Sequence, residues 1–242
     1  GLGRWERGLL SQNKWRFKKH AETPFWRWVC SWARALRKPS DMGFADENFI
    51  LPKLIEQQTI IENARLLPGE LFQRMAIGLK EQREEMRLTL KERCEKAAEL
   101  ILAHDSSVAW CDLNDEGDLL EEIIPGAIQV KGADSDDEKE ERLLAFANGE
   151  TKRLVTKSKI AGFGMNWQHC AHMTRFPSHS WEAYYQGVRR CWRFGQTRSV
   201  TVDIITTPGG LNVLVNLQRK AIAEGKMFDA LIAHMNSSMH IK

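Results

Sequence analysis

From residue 108 onward the chain switches repeatedly between strand-like and helix-like stretches, and this alternation limits the folds open to it. VAWCDL, AIQVKG, RLVTKS, HCAHMTRF and SVTVDIITT read as strands. GDLLEEII, DDEKEERLLAFAN and SWEAYYQGVRRCWRF read as helices between them. Such a succession implies βαβ units and an α/β fold, a parallel sheet covered by helices on both faces. Ligands of these sheets bind beyond the carboxyl ends of the strands. The loops that matter most are therefore the one after RLVTKS and the one before the arginine-bearing helix.

Upstream the pattern is different. The tryptophans Trp5, Trp15, Trp26, Trp28 and Trp32 are interleaved with basic residues, and FWRWVCSWARALRK predicts an amphipathic helix with Phe25, Trp28, Val29 and Trp32 at helical spacing. These aromatics are expected to serve core or interdomain packing; a stacking platform for single-stranded nucleic acid is the sharper alternative. KPSDMGFADENFILPKL is loop-like, broken by Pro39, Gly43 and Pro52, and QQTII is a short strand. A highly charged helix is expected over about 70–103, with one narrow apolar stripe of Met86, Leu90, Cys94, Ala97 and Ile101. It is expected to be a linker helix lying on the core. The tail from GGLNVLVNLQRK onward predicts helical cover.

The 242 residues suffice for a real hydrophobic core. Five cysteines, scattered and without C-x-x-C, argue against a disulfide framework and fit a reducing compartment. No apolar run has membrane-spanning length, so a cytoplasmic location and no membrane partner are the expectation. Net charge is only +3 but segregated: residues 1–40 have only Glu6 and Glu22 as acids, while 112–141 are acidic with only Lys131 and Lys139 opposing. Such segregation suggests one basic face that could meet nucleic acid.

The stretch QGVRRCWRFGQ at 186–196 concentrates the chemistry. Ser180 is a candidate N-cap, Glu182 sits in the first turn, and Gly195 is a candidate C-cap. At 100° per residue Gln186, Arg190 and Arg193 share a face, Arg189 flanks it, and Trp192 points away. Two aligned guanidiniums suit a phosphate whose charge changes during reaction; a merely solvated basic face is the rival reading. IAGFGMNWQHC follows RLVTKS, and its Gly162 and Gly164 permit a tight turn and close backbone approach to a ligand. His169, Cys170, His172 and His179 could be drawn as a metal site, but their spacing matches no standard zinc motif, so no metal is expected.

Taken together, TKSKIAGFGMNWQHC and YYQGVRRCWRFGQTRSVTV resemble motifs V and VI of superfamily 2 helicases, nearest the Swi/Snf-like branch and its phage and bacterial DEAD/DEAH-box members. Gln186, Arg190, Arg193, Gly195 and Gln196 match motif VI in full; Ser158, Lys159, Gly162, Gly164 and Asn166 match motif V. VAWCDLN at 108–114 falls where motif IV would be, and VKG at 130–132 with Arg142 resembles the next segment. There are departures: SHSWEAYYQ replaces the Trp-Asn-Pro that often precedes motif VI, and Lys159 stands where arginine is more usual.

The resemblance implies a RecA-like second lobe over 105–208, preceded by the end of a first lobe and a crossover (1–55) and a linker (56–104), and followed by a helical tail (209–242). It implies that Arg193 is the arginine finger and Arg190 a second γ-phosphate contact. Gln186, Gly162, Gly164, Asn166 and Gln196 would serve the nucleotide, and Ser158 and Lys159 the nucleic-acid backbone. ATP with Mg²⁺ is the implied cofactor, DNA the implied partner with RNA also open, and a first RecA-like lobe the second partner. A bacterial or phage-infected cell is the implied setting. No G-x-x-x-x-G-K-[ST] occurs, and DEGD at 115–118 is read as a decoy for the helicase acidic box, so this chain alone is expected to be inactive as an ATPase. The rival reading is a free-standing nucleic-acid- or partner-binding module without ATPase activity.

Overall fold

The computed structural model describes residues 3–7, 13–18, 20–33, 36–62, 79–160 and 165–239. The chain divides into two compact units, Gly1–Ile50 with Ala221–Lys242, and Leu51–Lys220.

In the first unit, β1 (Gly3–Arg7) and β2 (Asn13–Phe17) pair antiparallel, with Trp5 opposite Trp15. The sequence did not announce this pair, because the pairing is a cross-strand relationship that local periodicity does not carry. Helix α1 (Glu22–Trp32) follows and buries Trp26 and Cys30. The stripe expected to pack is open only at its tryptophans: Trp28 and Trp32 are 59% and 65% exposed and meet edge to face, while Phe25 and Val29 are half-buried. Apolar residues ring this helix, so spacing alone could not choose which side is buried. The helix also stops at Trp32, short of the expected Lys38, because Ala33 is extended. Buried Asp41 then accepts the Arg37 and Lys38 amides, at 2.8 and 3.2 Å. Arg37 also pairs with Asp229 at 2.7 Å.

The second unit holds the sheet. Its elements are β3 (Leu54–Ile60), α2 (Leu79–Leu88), α3 (Leu90–Leu102), β4 (Ser107–Trp110), α4 (Asn114–Ile123), β5 (Ala127–Val130), α5 (Asp136–Ala147), β6 (Arg153–Thr156), β7 (His172–Arg175), α6 (Trp181–Cys191), β8 (Val200–Thr206) and the start of α7 (Leu211–Met239). Six strands form one sheet in the order β3-β8-β7-β4-β6-β5, every pair parallel. This is the RecA-like α/β architecture, helices on both faces. Alternation along β4 shows how both faces are filled. Val108 and Trp110 join one core with Leu154, Phe146, Trp167, Val188 and Leu217. Ala109 and Cys111 join the other with Cys94, Ala97, Ile101, Leu120 and Ile124. The stripe expected on the charged helix is thus real, with Cys94, Ala97 and Ile101 fully buried.

That helix is broken at Thr89, whose hydroxyl donates to the Glu85 carbonyl at 2.8 Å, a back-bond that competes with the helix ladder. Next to the break, Arg93 and Glu116 form an ion pair at 2.8 Å with 2% and 0% side-chain exposure. Glu116 also accepts the amides of Asp112 and Leu113, at 2.9 and 3.0 Å. The DEGD string therefore opens α4, and its glutamate fixes the loop after β4.

Candidate functional site

Two clefts lie on the second unit. The smaller, about 240 Å³, is lined by Gln186, Arg189, Arg190, Arg193 and Phe194. Ser180 caps α6 by accepting the Ala183 amide at 3.2 Å, as expected. The helix ends at Cys191, however, and Trp192 is its C-cap. Arg193 therefore reaches the cleft through a turn rather than through helical register. That turn closes with the Gln196 amide donating to the Arg193 carbonyl at 3.0 Å, and with Gly195 at φ +90°, a left-handed conformation that favours glycine. Trp192 leaves the helix because its indole donates to the Pro52 carbonyl at 2.7 Å. Arg189 is more than a flank: it lines the cleft while lying over the rings of Tyr185 and Trp192.

Arg190 is 6% exposed, and burial, then the charge of Arg193, pushes its guanidinium below the ordinary arginine range. Two mutually repelling guanidiniums face a cleft lined, among the described residues, by no carboxylate. A cleft edged by guanidiniums attracts anions, and phosphate is the anion whose geometry arginine matches best.

Backbone ties this cleft to the segment after β6. The Trp167 amide donates to the Arg190 carbonyl at 2.9 Å, and Arg190 Nη1 donates to the Met165 carbonyl at 3.4 Å. Gln168 Nε2 donates to the Phe194 carbonyl at 2.7 Å. Asn166 lies within this tied segment and is exposed. Gly162 and Gly164 lie outside the described residues. Gln196 is buried and fully engaged by the fold. Its Nε2 donates to the carbonyls of Cys170 and Cys191, at 3.0 and 3.2 Å, and its Oε1 accepts the Arg198 amide at 3.0 Å.

The larger cleft, about 1050 Å³, opens at the carboxyl ends of β6, β4 and β7. This is the point where the chain, having run out to β5 on one side of β4, crosses to β7 on the other, the usual ligand position in such sheets. Ser158 and Lys159 line it, with Lys157, Lys220, Arg83 and Arg87. Five basic residues face three acids, Asp112, Asp115 and Glu182. Lys157 donates to Asn114 Oδ1 at 2.6 Å, linking the loops after β6 and β4. Asp112 is exposed on the cleft wall, and partial desolvation raises its carboxyl above the usual range against the pull of Arg175.

Gly187 connects the two clefts. A Cβ there would lie 2.8 Å from Arg175 Nη1, 3.2 Å from Trp110 and 3.5 Å from Ser158 Oγ. Its absence lets α6 approach the residues around the larger cleft. Sequence reasoning missed this glycine, since an isolated glycine in a helix signals a close approach without naming the partner.

The histidine and cysteine set disperses into the fold. His172 is held between Ser107 Oγ (2.7 Å) and Asp203 Oδ2 (2.8 Å) and stacks on His104. Cys191 is held well above the ordinary thiol range by its hydrogen bond to Cys170 and by burial. Burial pushes the Cys94 thiol up to about 12. Among the described residues there is no group of three His, Cys, Asp or Glu that could hold a metal ion.

No protein-family model matches the chain, and no curated protein does. Solved structures do. The C-terminal domain of the DEAD-box protein Dbp5 aligns at a TM-score of 0.50 and 12% identity, over 77% of this chain and 97% of that one. The C-terminal part of the Fun30 ATPase domain aligns at 0.46 and 15%, over 55% of this chain and 46% of that one. The helicase Lhr of Mycobacterium smegmatis, bound to single-stranded DNA and AMP-PNP, aligns at 0.46 and 15%, over 69% of this chain and 21% of that one. The chain thus spans under half the length of two of these three. The likeness to the Dbp5 domain is one of fold.

Proposed function

We propose that this chain is the second RecA-like lobe of an ATP-dependent helicase or translocase of superfamily 2, completed by a first lobe that carries the P-loop. The observation that carries the reading is the cleft lined by Gln186, Arg190 and Arg193, tied by hydrogen bonds to the segment at 165–168. In this reading Arg193, on a turn at the cleft, is the finger that stabilises charge on the transferring phosphoryl group. Buried Arg190 is the fixed second contact, and Gln186 orients the γ-phosphate between them. Asn166, with Gly162 and Gly164, brings backbone toward the nucleotide. Gln196 acts indirectly, by anchoring the turn that presents Arg193. ATP supplies the phosphoanhydride whose cleavage drives the motor. Mg²⁺ requires oxygen ligands, and in this reading the first lobe supplies most of them.

Ser158 and Lys159 line the larger cleft and hold the backbone of a nucleic-acid strand there. DNA is the proposed strand, in the Swi/Snf-like manner, within a bacterial or phage-infected cytoplasm. Residues 1–55 close the first lobe and make the crossover, 56–104 link, 105–208 form the second lobe, and 209–242 are a helical tail.

The test is reconstitution with a first lobe. DNA-stimulated ATP hydrolysis is expected to appear and to fall about 10³-fold or more in Arg193→Ala. Hydrolysis that survives this substitution would remove Arg193 from the finger role.

A further inference from the structure

We propose that the segment joining β7 to α6, with Lys220, is a phosphate subsite of the larger cleft, formed by Ser178 Oγ, His179 Nε2, Trp181 Nε1 and the Lys220 ammonium. The subsite rests on the nucleic-acid reading above for its occupant, a backbone phosphate of the bound strand. The motif resemblance gives Ser178, His179 and Trp181 only as part of the departing segment SHSWEAYYQ, and it assigns none of the four residues a role.

The three neutral atoms are buried and have no hydrogen-bond partner among the described residues, while all four residues line the cleft. Buried polar atoms without partners are rare in folded proteins, and a group of three on one wall asks for a ligand. Their chemistry says which. The Ser178 hydroxyl and the Trp181 indole are donors. The His179 tautomer follows from its neighbour. Asn216 Oδ1 accepts from Arg219 at 2.7 Å, which turns Asn216 Nδ2 toward His179 Nδ1 at 3.2 Å. Nδ1 is therefore the acceptor, and the proton sits on Nε2. Burial, then the charge of Lys220, holds this imidazole below its ordinary range, so it is a neutral donor at pH 7. Lys220 is itself positioned by donating to the His179 carbonyl. Three neutral donors beside an ammonium fit an anion that only accepts, and a phosphate oxygen is such an acceptor.

The acids of the cleft do not close this subsite. Asp112 and Asp115 follow β4, one strand away, and Glu182 is exposed on the first turn of α6. Strand β4 lies between β6 and β7, so Ser158–Lys159 and the proposed subsite stand on opposite sides of it, two inter-strand spacings of roughly 4.8 Å apart. A strand crossing the cleft would be held at both edges over an acidic floor.

The experiment uses the full chain. In ¹⁵N-labelled protein, the Trp181 indole N–H resonance is identified by its disappearance in Trp181→Phe. Inorganic phosphate is expected to shift it, and Lys220→Gln to weaken that response about tenfold. A fluorescent single-stranded deoxyoligonucleotide is then titrated by anisotropy at several salt concentrations. Ser178→Ala is expected to weaken binding roughly tenfold with the salt slope unchanged, and Lys220→Gln to reduce the slope by about 0.7. If neither phosphate nor oligonucleotide moves the Trp181 resonance, the subsite is wrong. If Lys159→Gln weakens oligonucleotide binding while Ser178→Ala and Lys220→Gln do not, the subsite falls and the nucleic-acid reading stands. If phosphate shifts Trp181 but no oligonucleotide binds, the phosphate chemistry holds and the strand as occupant is overturned.

Discussion

The main-chain amide of Trp167 donates to the carbonyl of Arg190 at 2.9 Å, so the segment after β6 and the arginine helix are one mechanical piece. Arg190 is buried within that piece, whereas Arg193 stands on the turn beyond the helix and its guanidinium makes no hydrogen bond among the described residues. The two arginines should therefore fail differently. Arg190→Ala is expected to cost about 1–3 kcal/mol of stability, because packing and backbone contacts go with the guanidinium. Arg193→Ala is expected to stay within about 0.5 kcal/mol of the parent. Urea denaturation of the two variants checks this, and equal losses would mean that Arg193 is also part of the scaffold.

Gln196 gives a second separation of scaffold from site. Its side chain joins Cys170, Cys191 and Arg198 through three hydrogen bonds. Gln196→Ala strips the buried Cys170 and Cys191 carbonyls of its amide donor, at a cost of about 2–3 kcal/mol. In a reconstituted ATPase the KM for ATP, measured on folded protein, should be unchanged. A raised KM with unaltered stability would instead put Gln196 in contact with nucleotide.

The buried Arg93–Glu116 pair makes a non-additive prediction. Removing one partner strands a charge in the core, so Arg93→Met and Glu116→Leu should each cost about 3–5 kcal/mol. The double variant should cost clearly less than their sum, as coupled neighbours do. Simple additivity in a double-mutant cycle would show that the two residues act separately.

How much of this was legible beforehand depended on whether the signal was local. The strands from VAWCDL to SVTVDIITT and the stripe Cys94, Ala97, Ile101 were readable because period and burial are written along the chain. The joint cleft of Gln186, Arg190 and Arg193 was readable from spacing, though the reason given for it was partly wrong, since Arg193 lies past the helix end. Trp28 and Trp32 misled because an all-round apolar helix does not say which side is covered. The meeting of Ser178, His179 and Trp181 with Lys220 was not legible: it depends on α7 returning to the end of β7, a contact between distant segments.

Gly187 tests the close approach of α6 to the sheet. A methyl group there would press on Arg175, itself 3% exposed and unable to swing away, and on Trp110. Overpacking costs about 1–3 kcal/mol, while alanine regains about 1 kcal/mol in helix propensity. Gly187→Ala is therefore expected to lose about 1 kcal/mol net, read as a lower urea midpoint. A variant more stable than the parent would mean that the helix is free to shift.

The rung of Ser107, His172 and Asp203 across β4, β7 and β8 gives the fold a pH dependence whose sign is fixed. Burial holds His172 below its ordinary range, and the charge of neighbouring His104 acts the same way, against the raising effect of Asp203. The unfolded chain therefore binds the proton more readily than the folded one, so stability rises with pH wherever the unfolded histidine is protonated. The contribution is fully present above about 6.5, the unfolded value, and is lost as pH falls from there toward the folded value. His169 and His179 are lowered too and add in the same direction. Urea midpoints at pH 7.5 and 5.5 should show the parent weaker at 5.5. His172→Gln, which cannot titrate, should be less stable at 7.5 but lose less between the two pH values. A parent more stable at pH 5.5, or a variant that keeps the whole pH slope, would show that this rung does not govern the acid response.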